Sequence, residues 1–322
     1  MVAALSEAEL TERVEALRIP LLQPGTPLDW KDWYHFVLMD LASGWRAIVN
    51  VSLAASGDDA ELQLTIVVHE GGGDPAAAPP THGCSLSVPW RAGMVQARPL
   101  RIQAPGLSLA FEQQVFVLAA RPHGSTIEVE LQARPDATPL LVTEASPFGS
   151  GFIGWGVMPR LRAQGRLRVG EREVAIDPGW FCYQDHNFGR FRWGEDFGWE
   201  WLVAHCQSSD GPQAEPITVV VDVRCDQLHR RGGLPYLFVL SGRAVRKVFL
   251  GPAMRMRWHW SEQASLPPRL PGAMATLLAD RTGRHPVAIE VTAADELDRL
   301  QLRIAVDAYV EIVAPDNRGA GH

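Results

Sequence analysis

Three observations predict an antiparallel all-β chain of two domains. First, apolar or β-branched runs bounded by Gly, Pro, Asp or Ser recur from residue 30 to the C-terminal end. Second, several of these runs alternate apolar and polar residues with period two, the mark of a sheet with one covered face. Third, the 322 residues exceed what one hydrophobic core organises, since cores stop growing near about 250–300 residues. Nothing follows the strand-then-long-helix rhythm of a parallel α/β sheet.

Residues 6–19 (SEAELTERVEALRI) open with a capping-box pattern at Ser6 and Glu9. They continue with Leu10, Val14 and Leu17 on one face and stop at Pro20, so one N-terminal helix is expected. WYHFVLMD, WRAIVNVSL, LQLTIVVHE and VFVLAARP then read as strands. STIEVELQA and RLRAQGRLRV alternate clearly. In the latter Leu161, Ala163, Leu167 and Val169 oppose Arg160, Arg162, Arg166 and Arg168, a row read as a solvated sheet face. The Gly/Pro/Ala-rich stretch 70–83 (EGGGDPAAAPPTHG) is expected to be a surface loop. After Phe191 come about eight strand-like runs, the number a small ligand-holding barrel needs. The expected domains are 1–190 and 191–322, with a short helix near 272–280.

Composition narrows the function. Apolar residues make up 46% and charged residues 21%, ordinary for a globular chain, and the formal charge of −7 has the wrong sign for a phosphate-binding surface. Nucleic acid is therefore not an expected partner. No run of about 18 apolar residues and no basic flank leading into an apolar stretch is present, so a soluble, cytoplasmic protein is expected. Cys84, Cys182, Cys206 and Cys225 form no C-x-x-C pair and read as free thiols. His69, Glu70, His82 and Cys84 flank the Gly-rich loop without a recognised metal-ligand spacing, and no metal or cofactor is expected. Nucleophile-elbow, phosphate-loop and zinc-protease signatures are missing.

The informative segment is WFCYQDHNFGRFRWGEDFGWEW, residues 180–201, with nine aromatic residues among 22. The order GWGVMPRLRAQGRLRVG, GWFCYQDHNFGRFRWG and FGWEWLVAH, with the earlier DWKDWYHFVLMD, resembles the carotenoid hydratase (hydroxyneurosporene synthase) superfamily. That superfamily shows a tryptophan-rich W-Y-F opening, a Y-Y-S-type strand, and an Asp-His-Asn-Trp-Gly or Asp-His-Glu-Trp-Gly box followed by Trp-x-Trp. Here the box reads Asp185-His186-Asn187-Phe188-Gly189, and WGVMPR stands in place of the Y-Y-S strand. The resemblance implies two lipocalin-like β-barrel domains and chemistry on an unsaturated isoprenoid or polyketide. Besides hydratases, the superfamily includes decalin-forming Diels–Alderases, other cyclases, and proteins with no known catalysis.

Hydrating or cyclising an alkene through a cation requires an acid, a pocket tolerant of the cation and, for hydration, a placed water. Asp185 is the candidate acid, with His186 beside it. An ordinary aspartate, with its pKa near 3.9, would need ~4 kcal/mol of help to stay protonated at neutral pH. Tryptophan faces suit the cation, at ~0.5–2 kcal/mol per contact. The expected hydrophobic small-molecule site is an aromatic pocket near the domain junction, formed by Tyr183, Trp193, Trp199, Glu200, Trp201, His205, Trp33 and Trp258. Strand parity places Trp199, Trp201 and His205 on one face and Glu200 on the other; it also separates Asp185 from His186, leaving one catalytic member and one brace. A pericyclic cyclase would need less from side chains, because orientation alone can supply ~7–11 kcal/mol. A carrier of hydrophobic molecules fits the same pocket. The plainer readings are a turn at Asp185–Asn187, tryptophans as core filler, and His35 as a satisfied core histidine.

Overall fold

The computed structural model describes residues 6–19, 30–56, 59–71, 80–91, 93–148, 151–191, 198–206, 216–225, 235–263, 269–271, 284–306 and 311–313. The chain divides into two compact units. The first is Met1–Trp193 with Leu270–Ala275 and Val313–His322; the second is Gly194–Arg269 with Thr276–Ile312.

The first unit opens with helix α1 (Glu7–Glu15), where the Ser6 hydroxyl accepts from the Glu9 amide and the Glu9 carboxylate accepts from the Ser6 amide. Strands follow as β1 (Trp30–Met39), β2 (Arg46–Ser56), β3 (Asp59–His69), β4 (Thr81–Pro89), β5 (Val95–Gln96), β6 (Leu100–Ala104), β7 (Leu107–Glu112) and β8 (Val115–Ala120). They continue with β9 (Ile127–Pro135), β10 (Leu140–Phe148), β11 (Gly151–Val169), β12 (Arg172–Ile176) and β13 (Phe181–Arg190). All thirteen belong to one curled antiparallel sheet of order β4-β3-β2-β1-β13-β11-β9-β8-β7-β6-β5, with β10 and β12 also pairing β11. The expected all-β class with a leading helix is therefore what the chain adopts.

Alternation explains the curl. Val49, Val51, Leu53, Leu62, Leu64, Ile66, Leu109, Leu118, Val129, Leu131 and Leu167 point into one continuous core, closed on α1's side by Val14, Leu17 and Ile19. Each such side chain contributes about 1.5–3 kcal/mol by leaving water. The arginine row opposite Leu161, Ala163 and Leu167 is exposed but not simply solvated. Arg160 pairs with Asp136 at 2.7 Å, Arg166 with Glu130 at 2.8 Å, and Arg168 with Glu128. Residues 81–83, expected in the Gly-rich loop, are instead the start of β4, because Thr81, His82 and Gly83 pair with His69, Val68 and Val67.

The second unit contains β14 (Gly198–Cys206), β15 (Ile217–Cys225), β16 (Tyr236–Ser241) and β17 (Ala244–Leu250) as a four-stranded sheet. It continues with β18 (Met254–Trp260), β20 (Pro286–Ala294) and β21 (Arg299–Ala305), while the short strands β19 (Arg269–Pro271) and β22 (Glu311–Val313) each straddle a boundary of the two units in sequence. β18, β20 and β21 form a three-stranded sheet, and β19 pairs with β22. Val219, Val221, Leu237, Phe249, Ile289 and Val291 form its core. The helix expected near 272–280 lies outside the described residues. No helix among them is long and apolar enough to cross a membrane.

Candidate functional site

β13 lies between β1 and β11 and is covered on both faces, so its polar residues are enclosed rather than placed in a turn. The turn reading of Asp185–Asn187 is thereby corrected: a continuous ladder holds them, with Asp185 opposite His35 and Val157, and His186 opposite Tyr34 and Gly156. Alternation then sends Gln184 and His186 to the core side and Tyr183, Asp185 and Asn187 to the other.

On the core side His186 is a brace. Its Nε2 donates to Asp32 Oδ1 at 2.6 Å and its Nδ1 to the Val14 carbonyl at 2.5 Å, while its ring stacks on Tyr34 at 4.3 Å. Two acceptors for two ring nitrogens define an imidazolium. Burial is the largest single influence and pulls its pKa down, but the Asp32 charge and hydrogen bond, joined by Glu15 and the Val14 carbonyl, together make the net direction upward. The second Asp32 oxygen accepts from the amides of Arg18 at 2.6 Å and Ile19 at 2.9 Å, and the Tyr34 hydroxyl donates to the Glu15 carbonyl at 3.1 Å. One buried network therefore ties the helix exit to β1 and β13. The Gly154-Trp155-Gly156 alternation follows from the same packing: a Cβ at Gly156 would meet Val14 at 2.6 Å, and one at Gly154 would meet the Phe188 ring at 2.1 Å.

On the other face, the 2% exposed Asp185 carboxyl accepts from the Tyr183 hydroxyl at 3.0 Å and from the Asn187 amide at 2.7 Å. Trp33, Trp155 and Val157 are buried on this face, outside the main core cluster. Trp33 meets Phe191 edge-on at 6.0 Å. His35 shares the face and accepts from the Asn50 amide through Nδ1 at 3.2 Å, which leaves the proton on Nε2.

Desolvation pushes the His35 pKa down to about 4, so the ring is neutral at physiological pH. A folded pKa below the unfolded value near 6.5 means that stability is lost as pH falls from about 6.5 through about 4. Part of the ring still reaches solvent, so the expected effect is about 2 kcal/mol at most. Urea titrations of wild type and His35→Gln between pH 7 and about pH 4 should show the steeper decline in wild type; parallel curves would refute it.

The other expected site residues fall in different places. Trp193 lies outside the described residues, and Trp199 and Glu200 are described only as backbone of β14. In the second unit Leu202 and Ala204 pack on that unit's core, so Trp201, Val203 and His205 point away from it. His205 Nδ1 lies 3.0 Å from the Thr218 hydroxyl. Asp222, the register partner of Trp201, is fully buried on the same face. Trp258 packs against the second unit's core and stacks on Trp260 at 6.2 Å. Glu15, Asp32, Trp155 and Asp222 escaped the sequence reading. Asp32 had a legible signal, alternating with Tyr34 and Phe36 on one side of an apolar strand.

No family model matches the chain, and no curated protein matches it in sequence. Solved structures that share its architecture include two of known source. One is a candidate AttH from Nitrosomonas europaea, with TM-score 0.58 and 13% identity over 87% of this chain and 82% of that one. The other is kievitone hydratase from Nectria haematococca, with TM-score 0.55 and 10% identity over 90% of this chain and 81% of that one. The fold is lipocalin-like. At these identities the likeness establishes the architecture alone.

Proposed function

We propose that the chain is a hydratase-type enzyme acting without a cofactor on an apolar, unsaturated isoprenoid or polyketide, with Asp185 as proton donor or polar anchor. The observation that carries this reading is the enclosed Asp185 carboxyl, held by two neutral donors on a face that also bears Trp33, Trp155 and neutral His35. Protonation of a carbon–carbon double bond by the acid leaves a cation, water adds to it, and the added water returns a proton; the net change is one water gained. The Tyr183 and Asn187 contacts fix the carboxyl's direction, and indole faces stabilise positive charge by ~0.5–2 kcal/mol each. Hydration is favoured over ring closure because kievitone hydratase shares the fold.

The test is turnover of a panel of polyenes and unsaturated isoprenoids, read as gain of the mass of one water and as deuterium at carbon in heavy water. Asp185→Asn, nearly isosteric, should lower kcat by about 10²–10⁴ while leaving the melting temperature within a few degrees. Unchanged turnover would remove Asp185 from the chemistry. Products without solvent deuterium would point to a pericyclic step, and ligands returned unaltered would make the chain a carrier.

A further inference from the structure

The three-stranded sheet of the second unit has one face on that unit's core and the other in solvent. Met256 and Trp258 of β18, Ile289 and Val291 of β20, and Leu300 and Leu302 of β21 pack inward. Alternation sends Arg255 and Arg257 of β18, Glu290 of β20, and Arg299 and Arg303 of β21 outward. In register, Arg257 stands opposite Glu290, and Glu290 opposite Arg303. The four arginines are exposed. With adjacent strands ~4.8 Å apart, their guanidinium groups form one patch.

Two features set this face apart. First, its charge is not neutralised within the fold. In the first unit Arg160, Arg166 and Arg168 each meet a carboxylate, whereas Arg255, Arg257 and Arg299 have none within ion-pair distance among the described residues. Glu290 lies 3.4 Å from His259 and 3.9 Å from Arg303. Asp295 and Asp298, at the β20–β21 turn, are taken by Lys247 of β17 at 2.7 and 2.6 Å. Second, the outward positions within 255–259, 288–294 and 299–305 carry nothing apolar larger than alanine. A protein–protein interface draws its hot spots from an apolar core. Charge without an apolar anchor suits a broad anionic surface, where attraction grows with the number of basic groups rather than with the fit of a pocket.

We propose that the outward face of the β18-β20-β21 sheet docks the protein on an anionic lipid bilayer, with Arg255, Arg257 and Arg299 against the lipid phosphates. Guanidinium groups pair with phosphate oxygens through two parallel hydrogen bonds, which a flat sheet face can present side by side. The formal charge of −7 on the whole chain does not prevent this, because charges farther away than ~8 Å are screened at physiological salt. The association is reversible and salt-sensitive, since nothing on the face enters the hydrocarbon. This surface goes beyond the hydration reading and does not rest on it.

Sedimentation with vesicles of phosphatidylcholine, alone or with about 30% phosphatidylglycerol, tests the face. Wild type should pellet with the anionic vesicles at about 0.1 M salt and remain in solution at about 1 M, where the Debye length falls from ~10 to ~3 Å. With neutral vesicles it should remain in solution at both. Arg255→Gln combined with Arg257→Gln and Arg299→Gln should weaken partitioning about a hundredfold, roughly fivefold per arginine, at an unchanged melting temperature. Arg162→Gln, at an exposed arginine of the first unit, should change nothing. Glu290→Gln removes the one carboxylate of the face and should strengthen partitioning about fivefold, a gain that misfolding cannot mimic. No pelleting of wild type, or equal pelleting with neutral vesicles, would overturn the proposal, as would wild-type affinity in the triple variant or in Glu290→Gln. An equal loss in Arg162→Gln and the triple variant would reduce the effect to general charge and overturn it. Tighter binding to single-stranded RNA or to polyglutamate at the same salt, lost in the triple variant, would assign the face to another partner and overturn it too.

Discussion

Replacing His186 with alanine is expected to lower the unfolding free energy by about 3–5 kcal/mol, among the largest losses for any single change in the first unit. The physical cause is what remains. Asp32 and His186 are both fully buried and 2.6 Å apart; without the imidazolium, the Asp32 carboxylate keeps only the Arg18 and Ile19 amides against the full cost of its desolvation. The Val14 carbonyl loses its donor and the Tyr34 ring its stacking partner. Removing both charges together should be less harmful than removing either one, because breaking a buried pair costs more than replacing it. Urea denaturation of His186→Ala, Asp32→Asn and the double variant forms the cycle, and amide exchange across residues 7–19 should accelerate with the singles. Additive losses, or a destabilisation below about 1 kcal/mol, would show that the network does not hold α1.

The second large effect depends on pH. Burial pushes the Glu15 carboxyl up to about 8 from its ordinary 4.5, with His186 opposing the rise and Asp32 and Asp185 reinforcing it. Between those values the folded state holds a proton that the unfolded chain has released. Stability is therefore fully present below about pH 4.5 and is lost as pH rises through about 8. The loss is on the order of 5 kcal/mol for a fully enclosed carboxyl. Glu15→Gln cannot ionise, so the difference between the wild-type and variant stability curves isolates this one group. The curves should converge near pH 4.5 and diverge in favour of the variant toward pH 9; a constant difference would mean that Glu15 is already ionised in the fold.

What could be read from the sequence tracks how far apart the cooperating residues are. β11 was legible because Leu161, Ala163, Leu167 and Val169 face a core while charged neighbours face water. β13 was legible only in part, since a strand covered on both faces has no polar side to alternate with, and its Asp-His-Asn run fits a turn as well as a strand. Parity still separated Asp185 from His186, as the ladder does. The bracing network could not be foreseen: His186 meets residues 154 and 172 positions away, and Glu15 sat in a helix whose charged residues otherwise looked exposed. Trp201 and Trp258 show a further limit, since two indoles of similar sequence setting end with one facing away from the second unit's core and the other packed on it.

β13 divides its labour residue by residue: even positions carry the anchorage of the N-terminal helix, and odd positions carry the carboxyl and its two positioning groups. Substitution at 186 should therefore release α1, seen as faster amide exchange across residues 7–19, whereas substitution at 183 or 187 should free the Asp185 carboxyl and leave α1 protected. One length of backbone thus carries two fittings that can be loosened separately.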